Sequence, residues 1–279
     1  MSFTAFAVGH AVVTGRPQIL IATRSVPKLR ELRELLGPID AELVSLDDLG
    51  IPDEVEETGA TFAANARLKA RAYVRLAGLP TIADDSGLEV DALDGGPGVR
   101  TKRYAGEHAS DADNNAKLLG ALEGLPPERR GARYVCVLVL ALPGGPSAGA
   151  RPGSAAPPGS AAPPGSAAPP GSAAATRLVE ARGTCRGRIA SGPRGSGGFG
   201  YDPIFEPAAE PVGGRTLGLY TPAEKHAISH RAWAARRMAR RLVELGLTSS
   251  SAVVPKQVAV AARRAPAASA ADAAERGAA

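Results

Sequence analysis

The sequence predicts an α/β protein, and three observations carry that expectation. A short apolar run, Gln18 to Ala22, passes through a polar turn into a helical stripe of Leu29, Leu32, Leu35 and Leu36. A second stretch of strong helix formers runs from Thr61 to Ala77. Another buried apolar run follows it at once and ends on Asp84 and Asp85. Strands alternating with helices in this way belong to a sheet covered by helices.

Taken in order, residues 1–16 show no periodicity and are expected to extend ahead of the fold. Ser25 is placed to cap the first helix, Pro27 sits in its first turn where proline is tolerated, and Gly37-Pro38 stops it. A helix amino terminus beyond the end of a strand is a natural seat for phosphate. Lys28 stands there although the helix dipole favours an acid, so its cation points to an anionic partner. Ala41 to Leu46 reads as a strand. The acidic stretch Glu54-Val55-Glu56-Glu57-Thr58-Gly59 then approaches the Thr61 helix, which Gly78 closes.

Pro80 to Asp91 reads as a buried strand interrupted by a Ser86-Gly87 turn. Consecutive strand side chains face opposite ways. One of Asp84 and Asp85 is therefore expected to face a cleft while the other braces backbone or a second ligand. Residues 111–122 form a helix capped by Ser110 or Asp111, and Ala132 to Leu142 is the strongest strand. Within residues 143–175, Gly-Ser-Ala-Ala-Pro-Pro repeats from Gly153, Gly159 and Gly165. The insert is expected to be a semi-extended, disordered loop. With the strand Leu178 to Ile189 it makes an over-lengthened hairpin, which the slow growth of loop-closure entropy tolerates. Gly192 to Phe205 is a glycine-rich loop, and Pro222 to Gly246 reads as one long amphipathic helix. The Ala-rich residues 248–279 are expected to be disordered, leaving one folded domain over 17–247 with the insert inside it.

Composition narrows the function. Hydrophobic residues make up 44%, enough for a packed core. No apolar run approaches the roughly 20 residues of a membrane helix. Residues 1–13 lack the basic and apolar regions of a signal peptide, which with two cysteines, Cys136 and Cys185, suggests reduced thiols in a cytoplasmic protein. The net charge of +5 includes a tail of four bases and two acids from Ser249 onward, leaving a mildly basic body. A nucleic-acid partner usually needs a basic stripe and is not expected. A polyanionic small ligand fits better.

Residues 195–200 satisfy G-x-G-x-x-G but lead into Tyr201-Asp202-Pro203 rather than a helix, which excludes a dinucleotide fingerprint. These glycines instead let backbone approach a ligand, with Phe199 or Tyr201 stacking on a ring. Lys225, His226, His230 and Arg231 cluster near one helix start and point to polyanion or carbonyl recognition. The His pair lacks the Glu of a zinc-protease helix and has a basic neighbour, which argues against a metal there. Glu56, Glu57 and Asp85 are hard oxygen ligands that suit Mg²⁺ together with phosphate oxygens. That combination implies metal-assisted hydrolysis of a nucleotide phosphoanhydride.

Several motifs, in order, carry a more specific resemblance. They are Thr23-x-x-x-x-Lys28-x-x-Glu31-Leu32, Glu56-Glu57-Thr58-Gly59-x-Thr61-Phe62-x-x-Asn65-Ala66, and Ala83-Asp84-Asp85-Ser86-Gly87-Leu88. Pro97-Gly98, Arg103-Tyr104-Ala105-Gly106, Gly197 to Phe205 and Glu224-Lys225-x-x-Ile228-Ser229-His230-Arg231 follow. Together they resemble the inosine/xanthosine triphosphate pyrophosphatase family, over residues 18 to 246 apart from the insert. The resemblance implies an elongated mixed sheet flanked by helices, two lobes with a central nucleotide cleft, and a homodimer. It also implies Mg²⁺-dependent conversion of dITP, ITP or XTP to the monophosphate and pyrophosphate. Carried over by position, Asp85 is the general base, and Glu56 with Asp85 holds the metal. Thr23, Arg24, Ser25, Val26, Pro27 and Lys28 form the phosphate turn. Ser86, Phe199, Gly200, Tyr201, Asp202, Lys225, His230 and Arg231 bind the nucleotide. The turn departs from the family pattern, with Ser25 for an Asn and Pro27 for a frequent Gly. The alternative reading is a non-catalytic purine nucleotide-binding module.

Overall fold

A six-stranded sheet in the order β2-β1-β3-β4-β5-β6 organises the chain. The computed structural model describes residues 16–144 and 176–248. The expectations for residues 1–15, for the insert from 145 to 175 and for the tail from 249 lie outside the described residues. β1 (Gln18–Ala22) lies between β2 (Glu42–Ser45) and β3 (Thr81–Val90), parallel to both. β4 (Gly131–Leu142), β5 (Arg177–Ile189) and β6 (Phe205–Pro207) continue the sheet antiparallel. Leu142 pairs with Arg177, so the strands on either side of the repeat insert are hairpin neighbours as expected.

The alternation of β1 divides the core. Ile19 and Ile21 face α1 (Val26–Leu36) and α5 (His230–Glu244), packing with Leu32, Leu36, Met238 and Leu242. Leu20 and Ala22 face α2 (Phe62–Ala77), packing with Phe62, Ala66, Ala70 and Val74. A third apolar nucleus at the antiparallel end joins Leu88 and Val90 to Leu118 of α3 (Asp111–Ala121), Tyr134 and Phe205. The helix starts follow their sequence signals. Thr61 accepts from the Ala64 N–H, and Ser110 forms a reciprocal capping box with Asp113. Gly78 ends α2 in the left-handed conformation. Ser25 occupies the N-cap of α1, but its side chain makes no cap bond.

Two expectations fail. Ser86-Gly87 is not a turn: β3 runs unbroken from Thr81 to Val90. Gly87 is there for space, because a Cβ would lie 2.4 Å from Thr101 Oγ1 and 2.8 Å from the Phe62 ring. The stretch from Pro222 is two helices, α4 (Pro222–Ile228) and α5, broken at Ser229. Ser229 has extended backbone and accepts the Ala232 N–H, so it starts a second helix where propensity alone would continue the first.

α5 also lies directly on the backbone of β5. A Cβ at Gly183 would sit 2.0 Å from the His230 carbonyl oxygen and 2.5 Å from the Ala234 nitrogen. Gly183→Ala is therefore expected to lower the unfolding free energy by about 3 kcal/mol, read from the urea midpoint, because backbone must move to admit the methyl group. An unchanged midpoint would show that α5 does not rest there.

Candidate active site

β3 outruns β1, and that difference builds the site. Parallel pairing ends at Ala22 with Ala83, so Asp84 and Asp85 lie just past the carboxyl end of the parallel strands, where ligands of α/β sheets bind. A cleft of about 870 Å³ opens there. Its walls include every residue carried over from the family resemblance: the turn Thr23 to Lys28, Glu56, Asp85 and Ser86, Phe199 to Asp202, and Lys225, His230 and Arg231. The Thr23 to Lys28 turn and the acids Glu56 and Asp85 thus share one groove.

The two adjacent aspartates separate by face, as strand geometry requires. Asp84 is buried and pairs with Lys28 Nζ at 2.9 Å. Burial works to raise its carboxyl, but the charges of Lys28, Lys69 and Arg231 override that and hold it far below the usual carboxylate range. Asp85 takes the Asn65 amide on Oδ2 at 3.0 Å and the Ser86 N–H on Oδ1 at 2.8 Å. Burial lifts its carboxyl to about 6, with Lys69 pulling down and Glu57 pushing up.

Cations converge on the opposite side. Lys225 Nζ lies 2.6 Å from Asp202 and 2.8 Å from Glu31, all three buried. Arg231 is ion-paired to Glu31 and donates to Ser86 Oγ at 3.1 Å. The Phe199 ring covers both cations, 4.6 Å from Lys225 Nζ and 5.5 Å from the Arg231 guanidinium. His230 is buried and stacks on Tyr134 with ring centres 4.6 Å apart. Burial, then the nearby Arg231 and Lys225, push it well below its ordinary value, so it is neutral at pH 7. His226 instead faces Glu34, so the two histidines do not form a metal pair.

Arg24 lines the groove but bonds away from it, to Asp47 at 2.6 Å and to the Ile51 and Asp53 carbonyls. It ties down the loop that carries Glu56 and Glu57. Three residues with direct parts in this geometry carry no role in the sequence expectations, although Asn65 and Glu31 stand in the quoted motifs. Lys69 is a buried cation in the groove, paired with Glu57. Asn65 links the Gly59 N–H, at 2.7 Å, to Asp85. Glu31 bridges Lys225 and Arg231. The scarcity of lysine was a usable signal for Lys69; its regular place in a helix disguised it.

The donor set can be weighed against a metal ion. Among the described residues no three His, Cys, Asp or Glu side chains cluster as a protein-only metal cage. Glu56 is exposed and makes no hydrogen bond or ion pair among the described residues, and it shares the groove with Asp85. Two oxygen donors beside a cationic pocket suit a hard cation that takes its remaining ligands from water and phosphate.

A model of the Ham1 family matches residues 19–156 and 169–241. The chain belongs to the Ham1 family. A Ham1 protein of Staphylococcus aureus superposes with a TM-score of 0.63 at 32% identity, covering 82% of this chain and 99% of that one. A structure titled nucleoside-triphosphatase / dITP/XTP pyrophosphatase from Mycobacterium abscessus superposes at 0.55 with 39% identity, over 82% and 98% of the two chains. The chain is also 44% identical over 228 residues to a dITP/XTP pyrophosphatase of Geobacillus kaustophilus, spanning 82% of this chain and 95% of the relative. The Ham1 fold accounts for the mixed sheet, and the family membership agrees with the resemblance read from the motifs. Among the described residues no helix is long and apolar enough to cross a membrane.

Proposed function

We propose that this Ham1-family chain is a Mg²⁺-dependent nucleoside triphosphate pyrophosphohydrolase. It converts dITP, ITP or XTP to the monophosphate and pyrophosphate, acts in the cytoplasm, and works as a homodimer. The observation that carries the reading is the single groove in which the Thr23 to Lys28 turn, the Asp85 carboxylate and the Lys225–Arg231 pair meet. The names of the relatives supply the substrate class.

Each residue has a physical task in this reading. The α1 amino terminus, Lys28 and Lys69 hold the phosphates by charge and backbone N–H groups. Asp85 accepts a proton from the attacking water, and Asn65 and the Ser86 N–H keep its carboxylate oriented. Glu56 and Asp85 would hold Mg²⁺, which when bound neutralises phosphate charge. The 6-keto oxygen of hypoxanthine and xanthine is an acceptor where adenine has a donor. Arg231 Nε and His230 Nδ1, both buried in residues of the groove, have no partner among the described residues, so polar capacity is left for a base. A site built on such bonds discriminates by about 10⁴ against an analogue that leaves its groups unpaired. The retained Asp85, Glu56 and Lys225 favour turnover over the non-catalytic alternative.

The test is pyrophosphate release from ITP, dITP, XTP, ATP and GTP with Mg²⁺. Release from the first three and little from ATP is expected; release from none, with tight ITP binding retained, would leave only the binding module. A second expectation concerns pH. Asp85 must be ionised to bind a cation and titrates near 6, above its ordinary value of 3.8. Apparent Mg²⁺ affinity should therefore be full above pH 6 and fall about tenfold per unit below it. Calorimetric titrations between pH 5 and 8 check this, and a flat profile would remove Asp85 from the metal site.

A further inference from the structure

The polar face of α3 touches the groove wall at Gly200. Asp111 Oδ2 accepts the Gly200 N–H at 2.7 Å, and Asn115 Nδ2 donates to the Gly200 carbonyl at 3.2 Å. Two side chains one helical turn apart therefore grip both backbone polar groups of one glycine, which has φ +63°. Neither is needed to start the helix, because Ser110 and Asp113 already form the capping box. Asn115 keeps its donor on Gly200 although its own Oδ1 is buried without a partner among the described residues. Turning the amide over would set that oxygen against the Gly200 carbonyl.

Gly200 lies between Phe199 and Tyr201 in a segment with glycine at 195, 197, 198 and 200. So many glycines leave the free backbone with much entropy, and its conformation must be imposed by contacts. From within, Asp202 accepts the Phe199 N–H at 2.9 Å. From outside, the Tyr201 hydroxyl donates to the Thr101 carbonyl at 2.9 Å, and α3 supplies the grip on Gly200. The residue so positioned is Phe199, whose ring covers Lys225 and Arg231.

We propose that Asp111 and Asn115 are specificity-positioning residues: by clamping the Gly200 peptide they fix Phe199 over the cations and so set the preference for a 6-keto purine. This rests on the purine-nucleotide reading of the groove but not on turnover. The test is therefore metal-free calorimetric binding of IMP and AMP, which needs no catalysis. Asp111→Ala should lose about fivefold of the IMP-over-AMP preference, the scale of one charge-assisted hydrogen bond at an exposed position. Asp111→Asn keeps an acceptor for the Gly200 N–H and should stay within about twofold of the parent. Asn115→Asp turns an acceptor onto the Gly200 carbonyl and should behave like Asp111→Ala. Asp111→Asn and Asn115→Asp are isosteric and alter the same helix end, so the asymmetry between them separates a hydrogen-bond clamp from a general charge or folding effect. An unchanged preference in Asp111→Ala and Asn115→Asp, equal effects of the two isosteric changes, or a parent that does not distinguish IMP from AMP overturns the proposal. If the binding pattern holds while no nucleotide is hydrolysed, the enzyme reading fails and the clamp stands.

Discussion

Asp85→Asn lowers kcat on ITP by about 10³-fold, within the range a positioned general base contributes, while calorimetric IMP affinity stays near the parent value. The amide is the same size and can still accept the Ser86 N–H through its oxygen. It cannot take a proton, and its NH₂ would face the Asn65 amide that now donates to Oδ2. The loss should therefore appear in kcat with little change in product binding. The sign of the pH effect follows from the raised Asp85 carboxyl. Because burial lifts it to about 6, the ionised form is the costly one in the metal-free fold, and protonation between pH 6 and about 4 stabilises that fold. The asparagine variant should lack this gain. Equal turnover in parent and variant would remove Asp85 from the chemistry.

Lys69→Met carries the second large effect. The Lys69 ammonium is buried, and although burial lowers its proton affinity, Asp84, Glu57 and Asp85 more than offset that and raise it. Removing the cation leaves Asp84, Glu57 and Asp85 with less positive charge around them. Breaking a buried pair from one side costs about 3 kcal/mol or more. A fall of that size in unfolding free energy is expected at pH 7.5 by urea denaturation. It should shrink as pH falls through 6, since Lys69 pulls the Asp85 carboxyl down and the variant's Asp85 takes up its proton at higher pH. Stability loss independent of pH would mean that Lys69 acts by packing alone. The same change should raise KM for ITP, because one phosphate-facing charge is gone.

Much of this was legible from local signals. Strand, polar turn and helix around Lys28, the helix near Thr61, and the Ser110 start are all set by residues adjacent in sequence. The opposed faces of Asp84 and Asp85 follow from strand geometry alone. The two misreadings differ in cause, and for Gly87 the deciding contact lies far away in the chain. Gly87 reads as a turn residue until Thr101 and Phe62 are seen to occupy the space of its Cβ. Residues 222–246 read as one helix because nearly every residue favours it. Ser229 breaks the run through extended backbone and a hydroxyl that starts the second helix. Lys69, Asn65, Asp111 and Asn115 sit at ordinary helical positions, and only the fold brings them to Glu57, Asp85 and Gly200.

The groove is expected to cut a bound triphosphate between its first and second phosphates. Phosphorus NMR of dITP turnover with Mg²⁺ observes this directly. The expected spectrum shows dIMP and pyrophosphate growing in equal amounts with no orthophosphate. Accumulation of dIDP with orthophosphate, or an unchanged triphosphate at pH 8, would contradict it.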